Sequence, residues 1–333
     1  MRYKSLTLAA VAALAIAAAM APANAADKIT IGMSSGINQV PSLVAEHNGY
    51  FKQEGLNVEL KPLARGGDAI KAVAAGSMEF SESAHVPFFA AVSRGVPLVA
   101  VGVVARGFYG KMVASMKNAN LKTLADFKGK HIGSQMGTGM FTIVRMLLEK
   151  QGLKESDFNF TNLRVVDMPG AMETNSGNLD AVIGWEPGMR RIVNAGKGKV
   201  VITAKQFEDM AGITYPFLLT TTPTYVKAHP DIVQKVVNAY AKADKYISTH
   251  HEEAVKIYQA EVKRRGGNLS ADDIQVMLFD VDRYSGAAFT AADWKDLPAT
   301  RDYLQKIGQI KSKLDLHKII DENFGKKADA AAM

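Results

Sequence analysis

The chain has 333 residues, 47% of them hydrophobic and 22% charged, which is enough for two domains with real cores and excludes a disordered chain. It holds no cysteine, which excludes disulfides, thiolate metal sites and cysteine nucleophiles. The formal net charge of +7 invites a nucleic-acid reading, but no basic-aromatic platform or DNA-binding motif accompanies it. Solvated lysines on helix faces account for the excess, and no nucleic-acid partner is expected.

Residues 1–25 read as a secretory signal peptide. Arg2 and Lys4 form a basic start, residues 6–20 an apolar run, and Ala23-Asn24-Ala25 a cleavage site. Cleavage near Ala25-Ala26 would remove those two bases and lower the formal charge from +7 to +5. With no cysteine to lipidate, a freely soluble, exported mature protein starting near Ala26 is expected. The apolar alternation of residues 28–33 then predicts a strand, followed by a helix ending at Asn48-Gly49 and a second strand over 56–60. Ala64-Arg65-Gly66-Gly67 leads into a helix over 68–75, and a third strand ends in the small polar loop Ser81-Glu82-Ser83-Ala84-His85. Strand, helix, strand, helix, strand with short connections is the grammar of a doubly wound parallel sheet. Ligands of such sheets settle at the carboxyl ends of strands, here 34–39, 65–67 and 81–85.

In order, Gly49-Tyr50-Phe51-Lys52-Gln53-Glu54-Gly55-Leu56-Asn57-Val58-Glu59, then Gly66-Gly67-Asp68, then Gly76-Ser77-Met78-Glu79-Phe80 closely resemble the nitrate/sulfonate/taurine group of periplasmic solute-binding proteins. These are receptors of ABC importers with two α/β lobes around a ligand cleft (the type II periplasmic-binding-protein fold). The resemblance implies lobe 1 over 26–108 and 222–333, lobe 2 over 109–221, a two-crossing hinge, and a C-terminal helical cluster packed on lobe 1.

Residues 98–104 form a continuous apolar run, fitting a strand buried on both faces. Arg106-Gly107-Phe108-Tyr109-Gly110 stands where the family's chain first crosses, with 112–114 as the crossing strand. Residues 121–133 resemble the family's entry to the second lobe. Thr138 is a natural N-cap for the helix over 141–150, whose free amides suit an anionic head-group. Residues 165–169 read as a strand ending at the cleft. Gly177-Asn178-Leu179-Asp180-Ala181 echoes Gly76-Ser77-Met78-Glu79-Phe80, as two matching lobes would. Trp185-Glu186-Pro187 reads either as a cleft wall with a contacting acid or as a buried indole and a surface acid. Residues 199–202 form a strand, 213–221 the return crossing, and helices cover 231–249, 252–265, 270–279, 290–306 and 314–324. Residues 326–333 read as a frayed tail.

No hydrolase, metalloprotease, P-loop or dinucleotide motif is present. His47, His229, His250, His251 and His317 read as packing or surface residues. Thiamine-pyrimidine synthases resembling this family carry a cysteine-rich motif, from which a chain without cysteine departs. The resemblance therefore implies a monomeric receptor that captures a small organic anion, a sulfonate or carboxylate with an apolar or aromatic body, and delivers it to a membrane permease with its ATPase. No cofactor, metal or catalysis is expected. The head-group is assigned to the amides after Thr138, including Gly139, with Ser83, His85 and either Arg65 or Arg106 assisting and Ser35, Asn38 and Gln39 on the first loop. Phe108, Tyr109, Met140, Trp185 and Tyr215 enclose the body. Glu186, as a bare acid, disfavours nitrate or sulfate and favours a ligand with a donor. The alternatives are a neutral or cationic heterocycle such as a vitamin precursor, and an exported enzyme using His85 and Glu186 as acid and base.

Overall fold

Alternate apolar residues place Ile29, Ile31 and Met33 of strand β1 (Lys28–Ser34) in the core. The computed structural model describes residues 28–34, 36–63 and 65–333; the expected signal peptide and Ser35 lie outside the described residues. After β1 come α1 (Val40–His47), α2 (Tyr50–Gln53), β2 (Asn57–Leu63), α3 (Gly66–Ala74), β3 (Phe80–Ala84), α4 (His85–Val92) and β4 (Val99–Ala105). β1 runs parallel to β2 and β3. Every residue of β4 is buried, as its unbroken apolar run requires of a strand covered on both faces.

The chain then forms a second lobe: β5 (Gly110–Ser115), β6 (His131–Ser134), α5 (Gly139–Lys150), β7 (Asn159–Asn162), α6 (Met168–Thr174), β8 (Ala181–Trp185), α7 (Gly188–Asn194), β9 (Gly198–Ile202) and α8 (Ala204–Ala211). It returns through β10 (Phe217–Thr221) to α9 (Pro223–Ala228), α10 (Pro230–Thr249), α11 (His251–Arg264), α12 (Ala271–Phe279), α13 (Asp293–Lys306), α14 (Leu316–Ile319) and α15 (Asn323–Ala332). The two five-stranded sheets run β2-β1-β3-β10-β4 and β7-β6-β8-β5-β9. Their order is the same. In each, the strand antiparallel to its neighbours is the one that has just arrived from the other lobe.

Three expectations are corrected here. Residues 217–221, assigned to the second lobe, pair with β3 and β4 of the first sheet, because the chain crosses before the apolar Phe217-Leu218-Leu219 run and that run is covered on both sides. Residues 165–169 are a turn and a helix start, not a strand. Asp167 donates its N–H to Arg164, and Pro169 occupies the first turn of α6, where its missing N–H costs nothing. The strand of that region is β7, a four-residue, largely exposed edge. Finally, residues 326–333 are not frayed: α15 packs on α10, and Asp329 accepts the N–H groups of Ala287 and Ala288 at 2.8 and 2.9 Å.

Candidate ligand-binding cleft

The lobes are joined by residues 106–109 and 212–216, which hold each other: the N–H of Gly107 donates to the Thr214 carbonyl at 2.7 Å. Gly107 has φ +90, and a Cβ there would lie 2.5 Å from Val281, so only glycine suits this crossing. Tyr215 adopts φ +48, a conformation that non-glycine residues avoid. The surrounding contacts hold it there. Asp296 of α13 accepts the N–H groups of Thr214 and Tyr215 at 3.0 and 2.8 Å. Arg106 pairs with Asp293 at 2.9 Å and donates to the Gly286 carbonyl at 2.8 Å, so the C-terminal helices brace the hinge.

A cavity of about 440 Å³ opens between the lobes in front of these crossings. The starts of three helices border it: Gly66 and Gly67 of α3, Val86 and Pro87 of α4, and Thr138 and Gly139 at α5. The first amides of a helix have no intrahelical acceptor, and its N-terminus carries partial positive charge. No side chain caps α3 or α4; Thr138 caps α5 by accepting the Phe141 N–H at 3.3 Å, which leaves the amides of Gly139 and Met140. Asp68 in the first turn of α3 is paired with Arg65 at 3.2 Å, so its charge does not oppose an anion. The remaining wall combines the rings of Tyr109, Trp185, Tyr215 and Phe217 with aliphatic side chains and the bases Lys71 and Arg94. Tyr109 stands 5.9 Å from Trp185, 5.7 Å from Tyr215 and 5.3 Å from Phe217, ring centre to ring centre. Burial pushes the Tyr109 phenol up to about 12, so it stays a neutral donor.

Of the residues singled out by sequence, Asn38, Arg65, Tyr109, Thr138, Gly139, Trp185 and Tyr215 border this cavity. Asn38 is 2% exposed, and its Oδ1 has no hydrogen-bond partner among the described residues. Gln39 borders an adjoining chamber instead and accepts from Arg265 at 2.9 Å. Ser35 lies outside the described residues.

The others are withdrawn from the wall. Ser83 is fully buried against Gly66, its Oγ without a partner among the described residues. His85 is buried too, and burial pulls its pKa down, so the ring is neutral. Its Nδ1 lies 3.2 Å from the Pro216 carbonyl, which can only accept; the proton is therefore on Nδ1, and Nε2 offers a lone pair rather than the donor an anion needs. Arg106 is committed to the hinge. Phe108 packs between Phe207 and Tyr215 behind the cavity, and Met140 is buried near Gly110. Glu186 is neither a surface acid nor a bare one. It is buried, pairs with Lys111 at 2.9 Å, and accepts the Arg190 N–H at 2.8 Å, so it raises no objection to a compact anion. Lys111 belongs to no sequence motif, and the one signal of its role is a lysine inside an otherwise apolar strand, which implies a buried partner.

The family model described as NMT1/THI5 like matches residues 37–254. The chain belongs to the NMT1/THI5-like family. A Bacillus subtilis protein assigned as aliphatic sulfonates-binding is 22% identical over 305 residues, 90% of this chain and 88% of the relative. The 4-amino-5-hydroxymethyl-2-methylpyrimidine phosphate synthase of Schizosaccharomyces pombe is 22% identical over 216 residues, 61% of this chain and 60% of its own. The alkanesulfonate-binding protein SsuA from Xanthomonas axonopodis pv. citri, solved bound to MOPS, superposes with a TM-score of 0.72 at 18% identity, covering 88% of this chain and 98% of that one. This NMT1/THI5-like chain thus has the two-lobed periplasmic-binding-protein fold. No helix of the described residues is long and apolar enough to cross a membrane.

Proposed function

We propose that this protein is a periplasmic solute-binding receptor that captures a small organic anion between its lobes and delivers it to the permease and ATPase of an ABC importer. One observation carries the reading: helix starts from both lobes converge on a single cavity that is also lined by four aromatic rings and by Lys71 and Arg94. Amides and helix dipoles, with Lys71 and Arg94 in the same wall, suit an acidic group, and the rings of Tyr109, Trp185 and Phe217 take an apolar body. Contacts supplied by both lobes make closure and binding one equilibrium. The relatives' sulfonate ligands agree with this chemistry. The acid–base pair expected of an enzyme finds no support, because His85 and Glu186 are both buried and bonded to protein groups.

A thermal-shift and calorimetric panel of alkyl and aryl sulfonates, carboxylates, nitrate and pyrimidines tests the reading. An anion at a hundred times its dissociation constant adds about 2.7 kcal/mol of stability. Replacing Trp185 by Ala is expected to weaken that binding. Hits confined to neutral pyrimidines would instead support the heterocycle reading that the pyrimidine synthase relative suggests, and product formation on any of them would support an enzyme.

A further inference from the structure

Past Arg65, Asp68 and Trp185, which border both spaces, the cleft continues into a second chamber of about 670 Å³. The first lobe supplies Arg265 and Glu261 from the end of α11, and the second supplies Arg164 and Arg191. Four guanidinium groups therefore face only two carboxylates, Asp68 and Glu261, in its wall. Those acids are already engaged, Asp68 with Arg65 at 3.2 Å and Glu261 with Arg264 at 2.6 Å and Arg265 at 2.5 Å. Arg164 is held by Asp167 at 2.6 Å just outside. Arg191 has no ion-pair partner among the described residues.

A second feature points the same way. Gln135 and Asn162 both border the chamber, and each uses its amide oxygen on a backbone N–H: Gln135 accepts from Val165 at 3.1 Å, Asn162 from Met136 at 3.0 Å. The group each has left is an NH2, a donor only. The chamber is thus rich in donors and positive charge, and short of acceptors. Such a wall suits a carboxylate, sulfonate or phosphate, which guanidinium groups grip through paired hydrogen bonds.

Resting on the receptor reading above, we infer that this chamber is a second anion subsite and that the cleft's ligand is a diacid. One acidic group meets the helix starts, the body lies along Trp185, and the other group reaches Arg191. A simple monosulfonate would fill only the first space.

Calorimetry on the purified protein with matched pairs tests this: benzenesulfonate against 4-sulfobenzoate, and propanesulfonate against 3-sulfopropionate. The diacid of a pair is expected to bind roughly tenfold tighter or better, as charge-assisted hydrogen bonds do. Added salt narrows the gap, and Arg191→Gln, a change at an exposed position, shrinks the ratio between diacid and monoacid. Monoacids that bind with no gain from the second acid, or a ratio indifferent to Arg191→Gln, would overturn the diacid inference and leave the receptor standing. Binding by no member of any pair would overturn both.

Discussion

At the scale of single residues, the buried charges matter most. Lys111 Nζ lies 2.9 Å from Glu186 and 3.0 Å from Asp280, so one ammonium ties the second lobe's strands to the C-terminal helices of the first. Removing one partner of a buried pair leaves the other charged and alone, which costs about 3–5 kcal/mol. Lys111→Met is therefore expected to lower the melting temperature by roughly 10 °C, and adding Glu186→Gln should recover part of the loss. An unchanged melting temperature in the single variant would refute the pin. Glu82 behaves oppositely to a paired acid. Ser42 and Tyr240 donate to it, yet burial wins and pushes its pKa from 4.5 to about 7. The folded chain therefore binds this proton more tightly than the unfolded chain does. The resulting stability is fully present below pH 4.5 and is lost as pH rises through 7, amounting to roughly 3 kcal/mol. In Glu82→Gln the melting temperature should vary less across that window, and a curve parallel to the parent's would sink the assignment.

At the scale of elements, the start of α5 sets how closely the lobes approach. A Cβ at Gly139 would lie 2.7 Å from the Tyr215 hydroxyl and 3.1 Å from Val86 across the cleft. Gly139→Ala favours the helix itself but wedges the lobes, so ligand affinity should fall by roughly tenfold as the binding-competent fraction drops. Titration showing an unaltered dissociation constant would remove Gly139 from the closing surface. Which elements were legible follows the same local logic. Residues 28–33 and 98–104 carry their own apolar patterns, and Thr138 is followed by a helix, so each reads without its neighbours. β7 is short, exposed and polar, and α15 is rich in alanine and lysine; neither announces what it packs on. The site residues divide likewise. Tyr109, Thr138 and Trp185 stand at the ends of strands or starts of helices, where the grammar of the fold puts ligand contacts. Arg106, expected at the cleft, is held at the hinge by Asp293, a partner 187 residues later in the chain that no local pattern reveals. Glu186 looked bare because Lys111 belongs to another strand. Burial and pairing are properties of the assembled sheet, and no local pattern carries them.

At the scale of the whole molecule, the two lobes also meet at the rims of the cleft. On one side Asn194 donates to Asp273 at 2.7 Å, with Arg190 at 3.6 Å from the same carboxylate; on the other, Lys306 pairs with Glu149 and Thr142 lies 3.2 Å from Gln309. Asp273, Lys306 and Gln309 belong to the first lobe's helical cluster; their partners belong to the second lobe. The Lys306–Glu149 and Asn194–Asp273 contacts are exposed and the Arg190–Asp273 pair is long, so each contributes about 0–1 kcal/mol, far too little to fix one arrangement. The hinge, by contrast, is braced by the buried Arg106–Asp293 pair and by Asp296 on the second crossing, so rotation between lobes leaves the cores of both intact. The buried Lys111–Asp280 contact stands beside the first crossing, where Arg283 links Asp280 to the Gly107 carbonyl, so away from the hinge the ligand supplies most of the closing free energy and the rim contacts only bias it. Asp273→Ala with Lys306→Ala should accordingly weaken ligand binding a few-fold by lowering the closed population, with the melting temperature of the free protein nearly unchanged. Calorimetry reads the first quantity, and small-angle scattering with and without ligand reads the change in compactness. Equal affinity in the double variant would mean that the rims touch without taking part in closure; a large loss of stability would mean that they hold the lobes' own structure together.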